Sequence, residues 1–232
     1  MSSLSLSLSS TTTTTLPPLT TDDYTIKVIR SKAINRYCKH RNANFQTFLH
    51  LVQYWSTMFS PDTDLLSEVA RSGNVELING LIKGYRGSIH INYKDIMDNA
   101  CYYGHLDLVR YCYTNNTIKE FGPNSLNCAV IMGHVNIVRF ILDQHLDGGQ
   151  QNLLHKITSS SMERAIERNN GIAMVHFYLY DCTTDQQTIP IDDLCKMATK
   201  HSKLDIQQLL DHYKLEQQQQ QLLSSSSSSL LK

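Results

Sequence analysis

The sequence predicts an all-α solenoid of stacked helix pairs, and three observations carry that prediction. First, the stretch Asn99–Tyr111 is matched 29 residues later by Cys128–Phe140. The two share Ala100/Ala129, Gly104/Gly133, His105/His134, Val109/Val138 and Arg110/Arg139, and Leu106/Val135, Leu108/Ile137 and Tyr111/Phe140 agree in type. Self-similarity at a period of 20–50 residues marks a stacked repeat architecture. Second, the same template continues on both sides. Leu66, Val69, Ala70, Gly73, Val75, Leu77 and Ile78 fall into its register upstream. Downstream, Met162, Ala165 and Ile166 precede Ile172, Met174, Val175 and Phe177 with one extra residue between the halves, and Cys195 and Ala198 precede Leu204, Ile206, Leu209 and Leu210. Third, neither helix of the unit can bury its apolar stripe alone, so neighbouring units must supply the core.

The first helix of each unit runs from an apolar anchor to a small residue three positions on, where alanine permits close approach of a neighbour. The anchors are Leu66, Met97, Leu126, Met162 and Cys195, spaced by 31, 29, 36 and 33 residues. Gly73, Gly104 and Gly133 sit where a left-handed residue would end that helix. The second helix then places apolar residues at i, i+2, i+3, i+6 and i+7, as in Val135, Ile137, Val138, Ile141 and Leu142. Residues 61–214 thereby divide into about five degenerate units, at approximately 62–90, 93–120, 122–149, 158–184 and 191–214.

The flanks differ from the stack. Residues 1–23 are rich in Ser and Thr, with too little hydrophobicity to offset ordering entropy, and are expected to be disordered. Residues 24–60 read as a helical cap or accessory helix pair. Its first helix, about Ile26 to Lys39, puts Ile26, Ile29, Ala33, Ile34 and Tyr37 on one stripe, with Lys27, Arg30, Lys32, Arg36, Lys39 and Arg41 on the other faces or just beyond. Its second, Phe45 to Phe59, contains the lone Trp55 and is apolar enough to cover the open side of the first unit. At the other end, Gln207 and Asp211 replace apolar residues in the last helix, as a terminal unit with no further neighbour requires. Residues 215–232 form a low-complexity Gln/Ser tail whose serine tract is expected to fray, and the Gly148–Gln151 connection is the expected flexible break.

Composition narrows the function classes. Lys and Arg total 21 and so do Asp and Glu, a balance that argues against non-specific binding to nucleic acid or to an anionic membrane. The six cysteines are scattered with no Cys-x-x-Cys, and fit small buried hydrophobes in a reducing compartment better than a metal site or a disulfide framework. No apolar run approaches the roughly 18 residues of a membrane span, and the Ser/Leu N-terminus lacks the basic and apolar regions of a secretory signal. The expectation is a soluble intracellular protein, cytoplasmic first with the nucleus left open. A phosphate-cradling glycine loop, Gly-x-Ser-x-Gly, His-Glu-x-x-His and an Asp-rich calcium loop are all missing, so neither an enzymatic activity nor a cofactor is expected.

The pattern resembles the ankyrin repeat over about residues 62–214: a helix ending in Ala-x-x-x-Gly-His, a second helix of Leu-x-Leu-Val type, and a connecting finger. The family's Thr-Pro-Leu-His entry motif is missing, and only Pro123 occupies its proline slot, at a helix start that suits proline. The resemblance implies an ankyrin-type helix-pair solenoid with short or trimmed β-hairpin fingers and an N-terminal helical cap. It implies that His105 and His134 hydrogen-bond to backbone near the inter-helix turn rather than act as general bases. It also implies binding of another protein on the concave face, partly through the two positions before each glycine. Those are Arg71-Ser72, Tyr102-Tyr103, Ile131-Met132, Glu167-Arg168 and Lys200-His201. Tyr102, Tyr103, Ile131 and Met132 would form an apolar centre, with Arg71 and Arg168 alongside. The expected function is a non-catalytic protein–protein interaction module, a scaffold or adaptor with a monomer favoured. Two alternatives stay open: a substrate-recognition adaptor of a ubiquitin ligase, with residues 24–60 on the ligase core, and a nuclear nucleic-acid-associated regulator, suggested by the basic first helix.

Overall fold

The computed structural model describes residues 21–40, 42–54, 61, 64–84, 91–115, 121, 123–146, 157–168, 171–182 and 188–229. Among these there are twelve α-helices and no strands. The finger connections, Trp55 to Phe59 and Gly148 to Gln151, lie outside the described residues.

Five helix pairs follow a two-helix N-terminal segment. They are α3 (Leu65–Ala70) with α4 (Val75–Gly84), α5 (Tyr93–Tyr103) with α6 (Leu106–Asn115), and α7 (Pro123–Met132) with α8 (Val135–Leu146). Next come α9 (Ser159–Glu167) with α10 (Gly171–His176), then α11 (Ile191–Lys200) with α12 (Leu204–Ser229). The first helices form one layer: α5 lies between α3 and α7, and α9 between α7 and α11. The second helices form the other layer, with α6 between α4 and α8 and α10 against α12. This is an all-α helix-pair solenoid.

The template residues make the core. Leu66, Val69 and Ala70, then Met97, Ala100 and Cys101, then Leu126, Ala129 and Val130 are all buried between successive first helices. Leu77 and Ile78, Leu108 and Val109, and Ile137 and Val138 do the same on the second. Full burial of each large aliphatic is worth about 1.5–3 kcal/mol, and only the neighbouring pair provides it. Gly73, Gly104 and Gly133 all adopt the left-handed conformation, with φ of 69°, 84° and 73°. The fifth pair uses Ser202 there, at φ 53°, a non-glycine that the sequence did not mark as a stop. In the fourth pair the first helix ends at Arg168 in extended backbone, and no left-handed residue occurs among its described residues.

α1 (Thr21–Cys38) packs on α3 and α2 (Phe45–Tyr54) packs on α4, so each continues one layer beyond the first repeat. Phe48 is buried, the Phe45 ring lies against Gly80, and Asn74 Nδ2 donates to the Ala43 carbonyl. The face of α1 turned to the stack matches the expected stripe only in part. Ile34 is buried and Tyr37 packs half-buried on the core, but the other buried positions are Ser31, Asn35 and Cys38, whereas Ile26 is 42% and Ile29 60% exposed and Ala33 is also exposed. The reason is that the i, i+3, i+4, i+7 row from Ser31 to Cys38 is small and self-satisfied, with Asn35 Nδ2 donating to the Ser31 carbonyl at 3.1 Å. It can therefore approach α3 closely without leaving a polar group unpaired.

α12 differs from expectation in length. It continues through the glutamines to Ser229, because the docked segment from Leu204 to Tyr213 supplies the nucleus and each further residue only extends an existing hydrogen-bond ladder. α10 passes directly into a π-helical turn, Phe177–Asp181, in which Tyr178 is buried and accepts a hydrogen bond from the Ile189 N–H at 2.8 Å.

Candidate partner-binding face

The turns between first and second helices lie along one edge of the solenoid, and two histidines hold them in register. His105 Nε2 donates to the Arg71 carbonyl of the preceding repeat at 2.8 Å, and His134 Nε2 donates to the Tyr102 carbonyl at 3.1 Å. A carbonyl can only accept, so each ring carries its proton on Nε2. Each imidazole also lies over the glycine of the repeat before, His105 on Gly73 and His134 on Gly104, in space that a Cβ would fill. The glycines are thus required twice, by φ and by the approach of the next repeat. Burial pushes the His134 pKa below its ordinary value, which favours the neutral ring that this contact uses.

This ladder sets the residues before each glycine in successive positions. Tyr103 is 40% exposed, and its ring packs edge-on against Tyr102 with centroids 5.1 Å apart. The Arg71 guanidinium lies 5.7 Å from the Tyr103 ring centre and pairs with Glu68 at 3.2 Å. Arg168 Nη1 donates to Met132 Sδ at 3.2 Å. Tyr102, Ile131 and Met132 are half-buried. Of the six residues singled out from sequence, the structure therefore joins Arg71 to Tyr103 and Arg168 to Met132. At the last pair, Glu163 accepts from Lys200 at 2.6 Å and from His201 at 3.2 Å, and these hydrogen bonds, Lys200's first, hold its carboxyl below the usual range.

Two further ladders went unread in the sequence. Inside the first layer, Ser125 donates to Asp98, and Asn127 Oδ1 accepts from Ser161 Oγ at 2.6 Å and from the Thr158 N–H at 3.2 Å. Here the residue after one anchor meets the residue before the next. A polar residue after one anchor with a serine before the following one was the available signal. On the outer layer, Arg110 lies 5.5 Å from the Phe140 ring centre, and Arg139 lies 5.6 Å from that of Phe177 and pairs with Asp181 at 3.3 Å. The repeated arginine thus clamps the next repeat's aromatic residue. Between these second helices lies an open groove of about 490 Å³, lined by Leu106, Arg110, Val135, Arg139, Phe140 and Asp143.

Among the described residues, no group of three or more His, Cys, Asp or Glu is placed to hold a metal ion. All six cysteines are free thiols, and burial pushes Cys38 and Cys112 up to about 12 and Cys182 to about 11. No described helix is long and apolar enough to cross a membrane.

Residues 66–152 match a family model described as ankyrin repeats, in three copies. No curated protein and no solved structure matches the chain. The matched span is the one in which the left-handed glycines and the histidine ladder occur. Ankyrin repeats are in general a protein–protein interaction module, and proteins built from them are generally non-catalytic. Over residues 66–152 the chain carries ankyrin repeats.

Proposed function

We propose that this protein is a non-catalytic intracellular scaffold or adaptor that binds a partner protein on its concave side, along the turn edge centred on Tyr102, Tyr103, Ile131 and Met132. The observation that carries this reading is Tyr103, an aromatic side chain left 40% exposed on a turn whose geometry depends on its backbone and on the next repeat's histidine. A large ring kept at such a place is surplus to the fold and suits an interface anchor, because Tyr and Arg concentrate binding energy when a partner desolvates them. Arg71 and Arg168 border the apolar centre, each already lying against one of its members.

The test is capture of partners by the full chain against a Tyr103→Ala/Met132→Glu variant with an unchanged unfolding midpoint. Loss of the captured proteins supports the edge as the binding site. Undiminished capture by the folded variant places the binding elsewhere.

A further inference from the structure

The face of α1 that points away from the stack is left exposed by the described residues. At 3.6 residues per turn, Ile26, Ile29 and Ala33 fall within an arc of about 60° on the side opposite Ser31, Ile34 and Cys38. Arg36 and Lys32 border that arc on one side and Arg30 on the other, while Lys27 falls at the angle of Ile34 and Cys38 and is half-buried. None of these three bordering cations makes an ion pair among the described residues. α1 opens on Asp22 and Asp23, and from residue 24 to residue 61 there follow six Lys and Arg with no Asp or Glu, so the cap of the neutral chain is basic beyond its first turn.

We propose that the outward face of α1 docks an acidic amphipathic helix of a partner protein, separate from the turn edge above. An apolar row bracketed by cations on both sides complements an apolar row bracketed by carboxylates, the arrangement of an antiparallel helix pair. A nucleic-acid site would have no use for two isoleucines, 42% and 60% exposed, at its centre. A bilayer would need more apolar area than two isoleucines and an alanine offer. The same face of a second copy would set cations against cations. Residues 1–20 of the chain itself contain no charged side chain and cannot complement the three cations.

The probe is a dye-labelled, helix-stapled 18-residue peptide with Leu at i, i+3, i+7 and i+10 bordered by Glu, and a twin with Lys in place of Glu. Both are titrated against the full chain by fluorescence anisotropy. The Glu peptide is expected to bind at least about tenfold tighter than its twin at 0.15 M salt and to weaken as salt rises. Ile29→Glu should weaken it at least about tenfold, Arg30→Glu/Arg36→Glu should reverse the preference between the twins, and Tyr103→Ala should change nothing. If Ile29→Glu moves the urea midpoint, Ile29→Ser takes its place. Equal binding of the twins, or indifference to both substitutions, overturns the proposal. So does binding of a 20-base-pair duplex or phosphatidylserine vesicles without the Glu peptide, or a chain dimer that Ile29→Glu dissociates. None of these outcomes bears on the turn edge, whose own test uses positions 103 and 132.

Discussion

Replacing Gly104 by alanine should destabilise the protein through two separable effects. The residue lies at φ 84°, where an L side chain costs roughly 1–2 kcal/mol. Its new Cβ would also occupy the space of the His134 ring, which must move and give up part of its packing and its hydrogen bond to the Tyr102 carbonyl. That displacement adds about 1–2 kcal/mol, for a total of about 2–4 kcal/mol. Urea unfolding followed by far-UV circular dichroism reads the loss as a lower midpoint at unchanged slope. In a His134→Ala background the collision is gone and only the backbone cost remains, so the pair should couple by about 1–2 kcal/mol. A Gly104→Ala variant within about 0.5 kcal/mol of the parent, or one equally costly in both backgrounds, would refute the ladder as the device that aligns the repeats.

Other perturbations probe the remaining contacts. Because burial lowers the His134 pKa from 6.5, its contribution is complete above pH 6.5 and declines as pH falls through that value toward the folded pKa. The stability difference between the parent and His134→Gln should therefore shrink between pH 7.5 and 5.5, and a pH-independent difference would contradict the buried neutral ring. Gly80→Ala should push against the Phe45 ring and loosen the cap, costing about 1–3 kcal/mol and exposing α1 and α2 to limited proteolysis; unchanged cleavage would mean that the cap is not seated on α4. Cys38 and Cys112, with thiols near 12, should resist iodoacetamide at pH 8 until urea unfolds the chain, and labelling at the same rate in native and unfolded protein would show that they are not buried.

The fold was legible because its signals sit on single residues at fixed spacing. Gly104 and Gly133 mark the turns by conformation, and the histidine after each follows in the same register, so both are visible without knowledge of the neighbour. The α1 face was read correctly at Ile34 and Tyr37 but not at Ile26, Ile29 and Ala33, for the opposite reason. Hydrophobicity favoured Ile26 and Ile29, but close packing favoured the smaller row of Ser31, Ile34, Asn35 and Cys38, and only α3 decides between them. Asn127 with Ser161 left a signal in the polar residues flanking successive anchors, but its contact, like that of Arg139 with Phe177, is made across repeats at a distance that spacing alone does not supply. The candidate site was partly legible. Its positions before each glycine could be named, but the pairing of Arg71 with Tyr103 and of Arg168 with Met132 depends on side-chain reach between repeats.

Site-specific photo-cross-linking inside cells addresses the binding reading most directly. A benzophenone amino acid at position 103 keeps an aromatic ring there, and the same group at Thr114, exposed at the far end of α6, serves as the control. A discrete protein adduct from position 103 with none from position 114 is the expected result. Adducts from position 114 alone, or the same set from both, would contradict the turn edge as the partner-binding face.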